Sequence, residues 1–252
     1  MAGLPDWPYP KYCAHRGAGK LAPENTLAAF RLGHGHGYRM AEFDVKLSAD
    51  GVAFLLHDDT LDRTTDRRGR ADALTWRELA LADAGSWHSP RYAGEPLASF
   101  AAVARWSRAH GVAVNIEIKP TRGRERETGA AIALDAASLW AGATPLPLLS
   151  SFSEPALEAA CAAVPALPRA WLTEHWVDDW HARATALECV ALDPKHTLLT
   201  KARVDEIHDA GLRVATWTVN DPARAADLIA WGVDTLITDA VDRLAPVMTS
   251  DT

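Results

Sequence analysis

Cysteine is scarce in this chain: three thiols, Cys13, Cys161 and Cys189, are spread through 252 residues. An odd number, widely spaced and without metal-ligand spacing, argues against a disulfide framework or a cysteine zinc site and fits a reducing compartment. Long apolar runs are missing too. No stretch approaches the roughly 20 apolar residues that a membrane span needs. Met1 to Lys11 holds three prolines and an acid where a secretory signal would have a basic start and an apolar run, so it reads as a short arm over one end of the fold. Basic charge is in deficit, with 26 Lys and Arg against 33 Asp and Glu, a formal net charge of -7. The Arg-rich stretch from Arg63 to Arg70 is itself interrupted by Asp66. Nucleic acid is a poor partner for such a surface. The expectation is a cytoplasmic, soluble protein with no stable membrane association.

What is present is ordinary for a globular chain with a sizeable core: 48% hydrophobic and 23% charged residues. After Lys11, short β-like runs alternate with longer helical patterns, the mark of an α/β fold with parallel strands. Candidate strands are 12–15, 40–47, 113–119, 146–152, 169–172, 189–192, 213–219 and 235–238. Helical segments are read at 26–33, 100–110, 125–140, 155–164, 201–210, 222–231 and 241–248. This pattern suits a TIM (β/α)8 barrel better than a doubly wound open sheet. No glycine-rich phosphate loop follows the first strand, which further weakens the dinucleotide-binding alternative. Asp50-Gly51 lies between two apolar runs and predicts a hairpin whose return strand is 52–57. The irregular stretch after it, about 58–96, reads as a small insertion over the barrel mouth, within a single domain spanning 1–252.

Strand alternation puts Glu42 and Asp44 on one face and Ala41, Phe43, Val45 and Leu47 on the other. In a parallel barrel the apolar face meets the helices, so the two acids should point into the barrel near its C-terminal mouth. Asn115, Glu117 and Lys119 repeat the pattern between Val114, Ile116 and Ile118. Three converging carboxylates call for a cation, because two like charges about 5 Å apart repel by roughly 3 kcal/mol at an effective dielectric near 20. All-oxygen ligation favours Mg²⁺ or Ca²⁺, or Mn²⁺, over zinc. With Arg16 and Lys119 the pocket would then be cationic overall and suited to one phosphodiester anion. His15 and His57, at the ends of neighbouring strands, can flank a phosphorus and exchange protons; which is acid and which is base stays open.

Each feature also has a plain structural reading. Asn25 or Thr26 serves equally as the N-cap of the next helix. Trp171, Trp176 and Trp180 suit packing, Trp217 and Phe152 could lie against the carbon skeleton of a small polyol, and Asp193 to His196 and Asp239 fall at strand ends.

Taken in order, His15-Arg16-Gly17, Pro23-Glu24-Asn25-Thr26, Glu42-Phe43-Asp44, the block from His57 to Thr64, Glu117-Ile118-Lys119-Pro120, Ser150-Ser151-Phe152, Gly232-Val233-Asp234 and Thr238-Asp239 closely resemble the glycerophosphodiester phosphodiesterases. The likeness is greatest to the bacterial cytoplasmic type associated with glycerol phosphate uptake. The resemblance implies a divalent-metal enzyme that releases sn-glycerol 3-phosphate and an alcohol from glycerophosphodiesters such as glycerophosphocholine and glycerophosphoethanolamine. It makes His15 and His57 the acid/base pair, Glu42, Asp44 and Glu117 the metal ligands, and Arg16 and Lys119 the phosphate contacts, with Phe152 and Trp217 bordering the glycerol. Either water or the glycerol 2-hydroxyl could attack phosphorus, the second giving a cyclic phosphate and being the preferred route. A lysophospholipase D-like or sphingomyelinase D-like activity is the alternative, and would need an apolar rim for lipid tails. A non-catalytic sensor would have no use for two proton-transferring histidines. The expected partner is a small molecule, with self-association left open.

Overall fold

The structure, a computed structural model, describes residues 4–244. Eight parallel strands close into a barrel: β1 (Tyr12–Ala14), β2 (Met40–Leu47), β4 (Ala113–Ile118), β5 (Leu148–Ser151), β6 (Arg169–Thr173), β7 (Ala191–Pro194), β8 (Arg213–Thr216) and β9 (Thr235–Thr238). Closure runs through the β1 pairs, Ala14 with Ala41 on one side and Cys13 with Ile237 on the other. Helices α1 (Leu27–Gly35), α3 (Phe100–Ala109), α4 (Glu125–Leu139), α5 (Glu154–Ala163), α6 (Trp180–Ala186), α7 (Lys201–Asp209) and α8 (Pro222–Ala230) form the outer ring. This is the expected TIM barrel.

The alternation read along β2 holds. Ala41, Phe43, Val45 and Leu47 pack outward against Phe30, Phe100, Val103 and Ile132 of the helices. A second outer core on the far side of the barrel includes Trp171 and Trp180, with Trp176 packed against it. The lower interior is filled by Cys13, Met40, Leu148, Ala170, Ala191 and Ile237, with Tyr9 beneath them. Trp7 donates to Thr235 Oγ1 at 3.0 Å and Tyr9 Oη to the Leu146 carbonyl at 3.0 Å, so the segment before β1 does lie across the bottom of the barrel.

β2 is longer than β1 and leaves an edge free above Ala41. The short antiparallel strand β3 (Ala53–Leu55) takes that edge in the register Val45 to Leu55, after a turn in which Gly51 adopts φ +78°. The hairpin is therefore as expected. The following segment contains only the short helix α2 (Trp76–Leu79) and two 3₁₀ turns around an apolar cluster of Phe54, Leu56, Leu61, Leu79 and Leu97. It is tied to both of its neighbours: His88 bonds the Lys20 carbonyl and Glu95 accepts from Ala28 N on the β1–α1 side, while Asp59 accepts from Lys46 of β2.

Several boundaries differ from expectation: the strand read at 213–219 ends at Thr216 and the one read at 146–152 runs over Leu148–Ser151. The strand read at 189–192 lies two residues later, because Cys189 N closes α6 on the Ala184 carbonyl and Glu188 turns the chain at φ 50°. The seven-residue α6 itself is not among the helices read from sequence, being too short to show a full apolar period. Of the helix read at 241–248, residues 241–243 form a turn and 245–248 lie outside the described residues.

Candidate active site

The parallel register of β2 and β4 sets Asp44 beside Glu117 and Glu42 beside Asn115. All three acids are buried, and one oxygen from each lies within 4.8 Å of the others. Glu42 Oε1 and Asp44 Oδ1 are enclosed without a hydrogen-bond donor. Burial, and then the neighbouring Asp44 and Glu117, push the Glu42 carboxyl well above its usual range. Burial raises Glu117 to about 7 despite Lys119, whose Nζ is 2.6 Å from Glu117 Oε1. Asp44 is held low in spite of its burial, first by Arg16 and then by Lys119. Three converging, mutually repelling hard oxygen donors, two of them with no hydrogen-bond donor, are a donor set that fits a divalent cation.

Arg16 reaches the acids from an unusual backbone. At φ 50° its N–H donates to Glu42 Oε2 at 3.1 Å, its Nε lies 3.3 Å from Asp44 Oδ2, and its Nη1 donates to Glu24 Oε1 at 2.7 Å. A left-handed non-glycine residue costs of order 1 kcal/mol or more and is kept only where its surroundings demand it. The two readings of Asn25-Thr26 divide between the residues. Thr26 caps α1, accepting from Ala29 N at 3.3 Å. Asn25, also left-handed at φ 61°, instead braces Asp44: its Nδ2 donates to Asp44 Oδ2 at 2.8 Å and its Oδ1 accepts from Asp44 N at 3.2 Å.

Each histidine is held through Nδ1 by an aspartate. His15 is 2.6 Å from Asp239 Oδ1, and Asp239 is fixed in turn by Asn220, whose Nδ2 donates to Oδ2 at 3.2 Å. Gly19 belongs to this arrangement, since a Cβ there would stand 2.1 Å from the Asp239 carbonyl oxygen. His57 is 2.7 Å from Asp58 Oδ1. Such a carboxylate fixes the tautomer with Nε2 free to work. Burial lowers the His57 imidazole below its ordinary value, an effect that Asp44 opposes and Lys119 and Arg16 reinforce.

These groups line one cavity of about 310 Å³ at the barrel mouth, with His15, Arg16, Glu42, His57, Glu117 and Lys119 in its walls. Phe152 and Trp217 stand on its other side as an edge-to-face pair with centroids 5.3 Å apart, and Lys119 Nζ lies 5.4 Å from the Phe152 ring. His15, Arg16, Glu42, His57, Glu117, Lys119, Phe152 and Trp217 are thus in the wall of one cavity, with Asp44 beside Glu117. Asp193 is not in its wall: it points into the barrel below, fully buried, with neither carboxyl oxygen hydrogen-bonded. Asp234 of the Gly-Val-Asp block belongs to the opposite end, where it accepts from Val214 N, Arg213 and His208. Asn25 as a brace, Glu24, Arg63 and Asn220 were not among the residues named for the site. His15 and Asp239 meet across 224 positions, so no local pattern announces them, whereas Asp58 adjoins His57 in sequence.

The profile of the glycerophosphoryl diester phosphodiesterase family matches residues 15–243, nearly the whole chain and all of the residues around this cavity. The chain belongs to that family. Among its relatives, the protein YhdW of Bacillus subtilis is 33% identical over 234 residues, covering 91% of this chain and 94% of that one. The glycerophosphodiester phosphodiesterase of Caldanaerobacter subterraneus is 32% identical over 232 residues, covering 92% and 94%. A phosphodiesterase of Oleispira antarctica, solved with its product sn-glycerol-3-phosphate, superposes with a TM-score of 0.87 at 34% identity over 93% of this chain and 95% of that one. The expectation of a glycerophosphodiester phosphodiesterase is met. Among the described residues no helix is long and apolar enough to cross a membrane.

Proposed function

We propose that this enzyme hydrolyses glycerophosphodiesters, such as glycerophosphocholine and glycerophosphoethanolamine, to sn-glycerol 3-phosphate and an alcohol with the help of a divalent cation. The observation that carries this reading is the buried triad of Glu42, Asp44 and Glu117, with Glu42 and Asp44 each keeping an oxygen that no donor meets, at a cavity walled by two aspartate-held histidines. The three carboxylates would hold Mg²⁺, Ca²⁺ or Mn²⁺, which when bound polarises a non-bridging phosphoryl oxygen. Arg16 and Lys119 bind the other phosphate oxygens and stabilise the charge that builds on them. His15 and His57 are the proton-transfer pair: one takes a proton from the attacking hydroxyl and the other gives one to the departing alkoxide. Their Nδ1 partners, Asp239 and Asp58, keep Nε2 as the working atom. Phe152 and Trp217 form the apolar wall against which the glycerol carbons lie. Attack by the glycerol 2-hydroxyl, followed by hydrolysis of the cyclic phosphate, makes the glycerol part of the chemistry; full turnover of a 2-deoxy analogue would remove that route. The whole chain acts as one catalytic unit, and its free cysteines suit a reducing, cytoplasmic setting.

The test is release of sn-glycerol 3-phosphate from glycerophosphocholine, read with a coupled dehydrogenase after chelation and again with each cation restored. Metal-dependent release is expected, and His15→Ala or His57→Ala should lower kcat by about 10²- to 10⁴-fold. Absence of release with every cation would defeat the proposal and turn attention to lysolipids as substrates.

A further inference from the structure

We propose that Arg63 is a positioning residue which aligns the proton-transfer group His57 and the phosphate contact Arg16 at the same time, the inference resting on the roles given to those two residues above.

Arg63 follows the hairpin at the start of the flanking segment, outside the cavity wall, and its guanidinium divides between two carboxylates. Nε donates to Asp58 Oδ2 at 2.7 Å and Nη2 to Asp58 Oδ1 at 3.0 Å. Along its other edge, Nη1 donates to Glu24 Oε2 at 2.7 Å and Nη2 to Glu24 Oε1 at 2.8 Å. Each carboxylate then passes the constraint inward. Asp58 Oδ1 is the oxygen that meets His57 Nδ1, and Glu24 Oε1 is the oxygen that accepts from Arg16 Nη1.

An exposed arginine beside an acid ordinarily contributes little, because two flexible chains must be ordered for a screened attraction. Arg63 differs in geometry. Two forked contacts fix the plane of the guanidinium and the orientation of both carboxylates, which a lysine ammonium has no way to copy. The two loops it joins, the one after β1 and the one after β3, contribute the left-handed Arg16 and the catalytic imidazole, and neither loop is held by a strand ladder at those residues. The flanking segment therefore acts as a brace for the site, transmitted through one side chain.

The experiment compares wild-type protein with Arg63→Ala, Arg63→Lys, Glu24→Gln and Asp58→Asn in the presence of saturating cation. Arg63→Ala is expected to lower kcat/KM by about 10- to 100-fold, the range seen when a group that orients a working residue is removed. Both kcat and KM should move, since His57 and Arg16 are released together. Asp58→Asn should act mainly on kcat and Glu24→Gln mainly on KM. Arg63→Lys should recover little, while guanidinium ion at low millimolar concentration should restore part of the activity to Arg63→Ala and none to the wild type. Imidazole ¹⁵N spectra give a readout independent of turnover: His57 should hold one tautomer in the wild type and a mixture in Arg63→Ala. Kinetics of Arg63→Ala within twofold of wild type, or a loss that only follows a loss of folded protein by circular dichroism, would overturn the proposal. A wild type without turnover but with the tautomer change intact would condemn the substrate assignment and leave the brace standing.

Discussion

Asp193 shows what a single residue can reveal about the balance between stability and site. Its carboxyl is fully buried on β7 with no donor to either oxygen, and burial, followed by the nearby Glu117, pushes it well above its ordinary value. A folded-state value above the unfolded 3.8 means that the native protein keeps a proton which the unfolded chain has lost. Native stability from this group is thus complete below about pH 4 and is lost progressively as pH rises. Asp193→Asn removes the loss. Relative to wild type its melting temperature should be close at pH 4 and higher at pH 8, by the equivalent of at least about 1 kcal/mol. A constant difference across that range would show that the acid is not carrying the cost. At this scale the buried acidic triad was readable in advance, because Glu42, Asp44 and Glu117 occupy alternate positions on strands whose other face is uniformly apolar. Asn25 was not, since a cap and a brace for Asp44 look alike in sequence, and Asp239 and Arg63 act through contacts that only the closed barrel creates.

At the scale of the element, Thr26 and Asn25 offer a clean separation. Thr26→Ala removes the α1 cap and should cost about 1 kcal/mol of stability while leaving the cation affinity nearly unchanged. Asn25→Gly tolerates the left-handed backbone yet removes both bonds to Asp44, one of them from its buried N–H, so it should lower the melting temperature in chelator by the equivalent of about 1–3 kcal/mol and also weaken cation binding by about tenfold or more. Calorimetric titration with Ca²⁺ or Mn²⁺ distinguishes the two, and equal affinities in both variants would contradict the assignment. The strands themselves were legible as short, largely apolar runs because both of their faces are buried. The shift of β7 was not: Cys189 looks like a strand residue, and only the turn at Glu188 with its bond back to α6 assigns it to the connection. α6 escaped for a related reason, its seven residues being held by Trp180 and Ala184 rather than by a long amphipathic face.

For the molecule as a whole, the triad makes folding and loading the same problem. Three buried acids repel in the native state and are free of one another in the unfolded chain, so a cation that binds only the native protein should stabilise it by mass action, by about 2.7 kcal/mol at one hundred times its dissociation constant. The melting temperature should fall in chelator and rise with added Mg²⁺, Ca²⁺ or Mn²⁺, and Asp44→Asn should flatten that response. A wild-type melting temperature indifferent to all three ions would contradict a cation site here.

The packed floor of the barrel has a consequence for traffic. With Cys13, Met40, Leu148 and Ile237 filling the lower interior and Tyr9 closing it from beneath, the described residues leave no back door. Whatever enters, enters by the mouth, and two fragments must leave by the same way.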